Sequence, residues 1–339
     1  MGMRAVEIPQ FGIEHLRVAE LPAPALPAGY VRIGVRAVSL NYRDYLVVTG
    51  SYNPKLPLPF VPCSDMAGEV LEIAPGVTRW KPGDAVMGCF MPAWQTGPYE
   101  EPYAKSALGG AWPGVLAEQV SLPADGLVPM PPHLSFEEAA TLPCAAVTAW
   151  NALVAQGPIK AGDTILLQGT GGVSLFALQI ARLHGARVII TSSSDEKLER
   201  ARALGAEGLI NYKSTPDWDK RAKELNGGRG VDHVVEVGGV GTFEKSLNAV
   251  RGGGRISYIG VLTGIQGPIN TAWILHKHLT IQGIYVGSRA MFEDLARAFA
   301  LHRVKPVVDR VHRLGEIADA LHYMSSGAHF GKLVIRAGS

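Results

Sequence analysis

The chain has 339 residues, 47% of them hydrophobic and 18% charged, and a formal net charge of +2. That length accommodates two domains with separate cores, and the near-neutral balance without a Lys/Arg run excludes a polyanion-binding face, so no nucleic-acid partner is expected. The first residues lack the apolar core of a signal peptide, and no window is apolar for long enough to span a bilayer, so no membrane contact is expected.

Up to Leu134 the chain reads as short strands between turns. In YVRIGVRAV, Val31, Ile33, Val35 and Ala37 alternate with Arg32, Gly34 and Arg36, the period-two pattern of a strand with one buried face. AGEVLEIAPGV, KPGDAVMGC and LAEQVSLPADGLVPMP continue it, punctuated by Pro-Gly turns, so this half is expected to be β-rich and barrel-like. The stretch from Pro92 to Trp112, rich in Trp, Tyr and Pro, is either the wall of an apolar cleft or a surface loop. Cys63, Cys89 and Cys144 form no paired framework, which points to a reducing cytoplasm.

At Ser135 the rhythm changes. Ser135 and Glu138 have the spacing of a helix start. The apolar runs TILLQG, RVIITS, VDHVVEVGG, GRISYIG and LTIQGIYVG then alternate with helical stretches such as SLFALQIARLHG and DEKLERARALGA. Continuous apolar strands separated by helices predict a parallel sheet covered on both faces. After Gly287 come a helix (MFEDLARAFALHR), KPVVDRVHRL, a second helix and a last strand, KLVIR. These residues are expected to return to the first domain, giving limits of 1–134, 135–288 and 289–339.

Chemistry enters at ILLQGTGGVSLF. Gly169, Thr170, Gly171, Gly172 and Val173 stand where a strand turns into a helix. The first glycine permits the tight turn, the second lets a pyrophosphate approach the backbone, and the helix N-terminus favours its charge. Ser174 replaces the third glycine of the fingerprint with another small residue. At the end of the next strand Ser192 and Ser193 stand where an acidic residue would hold the ribose of NAD. With Lys197 nearby, Arg200 further along and Tyr212 beyond, they favour NADP over NAD, although SSSDEK also reads as a capped helix start. Gly238, Gly260, Val261, Val286 and Ser288 follow three further strands, on the edge where open α/β sheets bind ligands.

The order of these segments, with VSLNYRDYLVVTGSY, FVPCSDMAGEVLEIAPGV, TLPCAAVTAWNAL and HFGKLVI, resembles the medium-chain dehydrogenase/reductase superfamily. Within it the chain looks most similar to the zinc-independent, quinone-oxidoreductase-like branch, often labelled zinc-type alcohol dehydrogenase. The resemblance implies an α/β protein: a Rossmann-type doubly wound parallel sheet plus a GroES-like β-barrel catalytic domain, with the nucleotide-binding part inserted before the C-terminus. Zinc relatives hold a catalytic metal by a Cys, a His and a second Cys; the matching positions are Asn41, Ser64 and Cys144, with Asp65 beside them. One thiolate is too few ligands for catalytic zinc, and the structural four-cysteine lobe is missing, so no metal is expected.

Without a metal, hydride addition to an enone or quinone is the easier chemistry, since hydrogen-bond donors can stabilise an enolate or quinol. The candidate catalytic residues are Asn41 as donor to the substrate oxygen, Tyr52 as proton donor, and Asp44. Arg43 and Asp44 alternatively pair with each other or brace the loop. Thr148 matches a family threonine near the nicotinamide, and Lys332 a common family lysine whose role is open. The expected activity is NADPH-dependent, zinc-independent reduction of quinones or α,β-unsaturated carbonyls. An alcohol/ketone dehydrogenase and a non-catalytic NADP-binding protein are the alternatives. The resemblance also implies a homodimer, paired through the strand around Leu279 to Val286.

Overall fold

The computed structural model describes residues 2–338. The strands in chain order are β1 (Gly2–Glu7), β2 (Arg17–Pro22), β3 (Tyr30–Ser39), β4 (Asp65–Ile73), β5 (Ala85–Gly88), β6 (Gln119–Pro123) and β7 (Leu127–Pro129). They continue with β8 (Thr164–Leu167), β9 (Arg187–Ser192), β10 (Gly208–Asn211), β11 (Val231–Glu236), β12 (Val250–Tyr258), β13 (Thr280–Gly283), β14 (Val308–Arg313) and β15 (Lys332–Arg336). The chain divides into two compact units: one runs to Val147 and resumes at Gly287, and the other spans Thr148–Val286.

The first unit carries a seven-stranded sheet in the order β14-β15-β3-β4-β5-β7, with β6 also paired to β3, and a separate β1-β2 ribbon. β3 is its spine. It pairs along its length with β4, while its other edge takes β6 at Tyr30–Gly34 and β15 at Ala37–Ser39. The alternation read from the sequence is what packs it: Val31, Ile33, Val35 and Ala37 are buried, whereas Arg32 and Arg36 reach across to Glu72 and Glu69 of β4. The last strand returns here, with Val334 and Ile335 buried and lying opposite Ser39 and Val38. The helix Phe136–Ala139 begins at Ser135, whose side chain accepts from Glu138 N–H while the Glu138 carboxylate takes the Ser135 N–H. It packs against β3, β4, β14 and β15. Residues 135–147, expected with the second domain because the rhythm changes there, therefore belong to the first.

The second unit is a six-stranded, all-parallel sheet in the order β10-β9-β8-β11-β12-β13. Its central strands are buried along their length, as a sheet covered by helices on both faces requires. The strand order reverses on either side of β8, so the loops after β8 and β11 flank a crevice of the kind in which such sheets bind ligands. The edge strand β10 was absent from the predicted set; GLIN is short and not uniformly apolar.

Candidate active site

In the second unit the predicted cofactor residues converge because parallel strands end on one edge. Gly169 to Val173 follow β8, Ser192 closes β9, Tyr212 follows β10, Gly238 follows β11, Gly260 and Val261 follow β12, and Val286 follows β13. Gly169 adopts φ +70, and a Cβ added at Gly169 or Gly171 would meet no atom within 4 Å. The backbone there faces open space rather than protein. Gly171 caps the helix Gly172–Leu183, whose first turn has no acidic residue and no side-chain cap, leaving N–H groups and the positive dipole end for an anion. The residues fit a dinucleotide pyrophosphate. Ser174 keeps the turn tight: its buried hydroxyl donates to the Gln168 carbonyl at 2.7 Å.

Behind the turn lies a polar network that sequence reading missed. The Glu236 carboxylate, fully buried at the end of β11, accepts from Gly238 N–H (2.7 Å), Gly239 N–H (3.0 Å) and Thr242 Oγ1 (2.6 Å) with one oxygen. With the other it accepts from Gln168 Nε2 (2.7 Å) and the Ser246 hydroxyl. Gln168 Oε1 in turn accepts from the N–H groups of Val237 and Gly238. The signal was a Gln and a Glu inside apolar runs, positions that only a satisfied network can bury.

Several predicted residues also have work inside the protein. A Cβ on Gly238 would fall 2.2 Å from Thr242 Oγ1, and one on Gly260 2.2 Å from the Val237 carbonyl oxygen, so both glycines serve close packing. Ser192 is buried, and its hydroxyl accepts from Ser194 N–H at 3.3 Å; Ser193 beside it is half-buried. Ser194 caps the following helix through Lys197 N–H, and Tyr212 is exposed. Asp195, the nearest acid, accepts from Asn211 Nδ2 at 2.8 Å. Thr148 is buried on the helical turn Val147–Trp150, between two π-helical segments. Val286 has φ +55, a strained value for a β-branched residue, and its carbonyl accepts from the buried Asn151 at 2.8 Å. Ser288 belongs to the first unit, where it caps the helix Arg289–His302.

The first unit gathers Asn41, Asp44, Ser64, Asp65, Cys144 and Lys332 around one buried centre. Asn41 immediately precedes the helix Tyr42–Val48, and its N–H donates to Asp44 Oδ2 at 2.8 Å. Asp65, the first residue of β4, accepts from the Ser64 hydroxyl (2.7 Å) and from Cys144 N–H (3.0 Å). From β15, Lys332 Nζ donates to the Leu40 carbonyl (2.5 Å) and Asn41 Oδ1 (2.6 Å). Burial pushes the Asp44 carboxyl up to about 6, against the pull of Arg43 and the Asn41 N–H. Burial likewise raises Asp65, opposed by the Lys332 ammonium, the Asn41 amide, Ser64 and the Cys144 N–H. It pushes the Cys144 thiol up to about 12.

Arg43 does not pair with Asp44 at hydrogen-bonding distance. It donates to the Leu108 carbonyl and lies 4.1 Å from the Phe90 ring and 5.7 Å from that of Tyr52, bracing the loop. Tyr52 follows the same helix and is 43% exposed. Trp94 of the 92–112 stretch is buried, with Tyr99 edge-on and Tyr103 stacked against it. Among the described residues no three His, Cys, Asp or Glu side chains group to hold a metal. At the matched positions an amide, a hydroxyl and a single thiol form a donor set that does not fit zinc.

Residues 27–132 match the family model "Alcohol dehydrogenase GroES-like domain", and 172–301 match "Zinc-binding dehydrogenase". A zinc-type alcohol dehydrogenase-like protein of Schizosaccharomyces pombe is 42% identical over 337 residues, covering 96% of each chain. The crystal structure of a proposed alcohol dehydrogenase from Sinorhizobium meliloti 1021 superposes with a TM-score of 0.93 at 45% identity, covering 99% of this chain and 98% of that one. An acryloyl-coenzyme A reductase of Metallosphaera sedula is 29% identical over 326 residues, covering 94% of this chain and 95% of the relative.

Proposed function

The chain belongs to the medium-chain dehydrogenase/reductase superfamily and is an NAD(P)-dependent oxidoreductase; on that premise we propose that it reduces quinones or α,β-unsaturated carbonyls with NADPH and without zinc. The observation that carries this reading is the Asn41 side chain. Its Nδ2 is a buried donor with no partner at hydrogen-bonding geometry, beside the Asp65 carboxylate, standing where metal-dependent relatives place a ligand. A donor of this kind suits an oxygen on which negative charge develops gradually, as in an enolate or a quinol. A simple ketone asks for a stronger electrophile.

When bound, the reduced nicotinamide supplies the hydride. In the reading proposed, Gly169, Thr170, Gly171, Gly172 and Val173 hold the pyrophosphate, and Ser192, Ser193, Lys197 and Tyr212 receive the 2′-phosphate side. Thr148, Gly238, Gly260, Val261 and Val286 would hold the nicotinamide end. Asn41 Nδ2 bonds the substrate oxygen, and Tyr52 O–H gives a proton to the carbon next to the carbonyl. The proton from Tyr52 would complete, with the hydride that the cofactor would supply, the conversion of an enone into the saturated ketone, and water would re-protonate Tyr52. Asp44 acts by holding Asn41. The chain is proposed to be a cytoplasmic homodimer paired at β13, one of the two edges of its sheet.

The test is NADPH oxidation with an α,β-unsaturated ketone after chelator treatment, with NADH in parallel and the product identified. A saturated ketone formed faster with NADPH is expected. An allylic alcohol would mean direct carbonyl reduction, the second reading, which the names of the two dehydrogenase-like relatives favour. A preference for NADH would remove the role given to the serines after β9.

A further inference from the structure

The mechanism leaves the buried Lys332 ammonium without a role. Lys332 is 4% exposed, and a buried ammonium is costly unless it is paired and fully bonded. Its surroundings come from three stretches of the chain: Leu40 to Asp44, Cys63 to Asp65, and Cys144. Two of its contacts are to oxygen atoms, the Leu40 carbonyl and Asn41 Oδ1.

The second contact fixes which way the Asn41 amide points. A flipped amide would set an NH2 group against the ammonium, donor facing donor, and lose a charge-assisted bond of 2.6 Å. The main-chain N–H of the same residue is already held by Asp44, so both ends of Asn41 are pinned. What remains is Nδ2, which is buried beside the Asp65 carboxylate and makes no bond at hydrogen-bonding geometry, so that one of its two N–H groups can meet a substrate oxygen. An ammonium on the amide oxygen also draws electron density from the nitrogen, and donors in such a chain strengthen one another.

We propose that Lys332 is a positioning residue: it orients and polarises the Asn41 carboxamide so that Nδ2 is presented to the substrate oxygen, a fixed organic cation acting through an amide in a site whose relatives use a metal. The role rests on the reductase reading. It needs no proton to leave Lys332 and predicts an effect on turnover rather than on cofactor binding.

Two measurements test it. The first is a double-mutant cycle on enone or quinone reduction with Lys332→Met, Asn41→Ala and the pair, with NADPH affinity and thermal unfolding followed alongside. Lys332→Met is expected to lower kcat by about 10- to 100-fold with cofactor affinity unchanged. In the Asn41→Ala background it should do little more, because it acts through that side chain. Independent losses, or an unchanged kcat in a folded Lys332→Met protein, would overturn the proposal. The second is the side-chain amide resonance of Asn41 in the wild-type protein, assigned by its loss in Asn41→Ala. Its Nδ2 resonance is expected to move in Lys332→Met, and an unmoved resonance would refute the lock whatever the enzyme turns over. If the wild type reduces no enone or quinone while the amide is locked, the reductase reading falls and the Lys332–Asn41 lock stands.

Discussion

Gly169 and Gly171 sit one residue apart and make opposite demands. At Gly169 φ is +70, so any side chain is strained there; at Gly171 φ is −79 with ψ −179, which alanine adopts freely. Since an added Cβ at Gly171 meets no protein atom, Gly171→Ala should leave stability unchanged or raise it by about 0.4–1 kcal/mol. Its effect should fall on the ligand, weakening NADPH binding by at least about tenfold if the backbone must approach a pyrophosphate. Thermal unfolding and a fluorescence titration read both quantities, and unimpaired binding would remove this turn from the cofactor site. Asp44 makes a second residue-level claim. Its carboxyl stands at about 6 in the folded protein and near 3.9 unfolded, so the folded state holds its proton more tightly. The stability this provides is fully present below about pH 4 and is lost as pH rises through about 6, amounting to about 3 kcal/mol. Urea unfolding between pH 4 and 7.5 should show Asp44→Asn, which retains an acceptor for the Asn41 N–H, gaining on the wild type toward neutral pH. Parallel pH profiles would contradict the shift.

At the scale of elements, the ends of β8 and β11 and the start of the helix Val240–Ala249 are joined by the Glu236 carboxylate. Its acceptors hold the two main-chain amides after β11, which positions Gly238 next to the crevice. Glu236→Gln puts an NH2 among donors and leaves buried groups unsatisfied, at a cost of about 2–4 kcal/mol. Hydrogen exchange should quicken from Val237 to Ala249 while β9 and β10 stay protected; uniform exchange would mean the network is not what holds these ends. Five of the six parallel strands were legible because short, largely apolar runs bounded by glycine and helical stretches have few other ways to be buried. β10 was not, because an edge strand covered on fewer sides carries a weaker apolar signal.

For the whole molecule, the open edge of the parallel sheet raises the matter of assembly. Near β13 the chain exposes Ile265 (74%), Leu275 (72%), Ile269 and Trp273, a concentration of apolar side chains that a lone chain rarely leaves in water. Sedimentation should give the mass of two chains, and a combined Ile265→Glu, Leu275→Glu variant should give one, with folding intact since neither side chain is in a core. A monomeric wild type would end the proposal of pairing at this edge. No helix among the described residues is long and apolar enough to cross a membrane.

The sequence by itself determined what repeats locally: the alternation of β3, the capped helix start at Ser135, the βαβ rhythm and the glycine turn. Neighbours within a few residues set each of these through backbone geometry and period. The family resemblance, applied to the residues alone, also marked Asn41, Ser64 and Cys144 as a depleted metal set, because residue identity decides whether an atom can ligate. Only the tertiary structure decided what replaces that set. Asn41, Asp65, Cys144 and Lys332 are far apart in the chain, and no local pattern distinguishes a lysine in FGKLVI that faces water from one buried on an amide oxygen. The same holds for Gln168 and Glu236, whose burial is tolerable only because each completes the other's hydrogen bonds. The boundary at Val147, rather than Leu134, was settled likewise by which sheet the helix Phe136–Ala139 covers. Polar burial is a property of pairs that folding brings together, so it becomes readable only once the strands are in register.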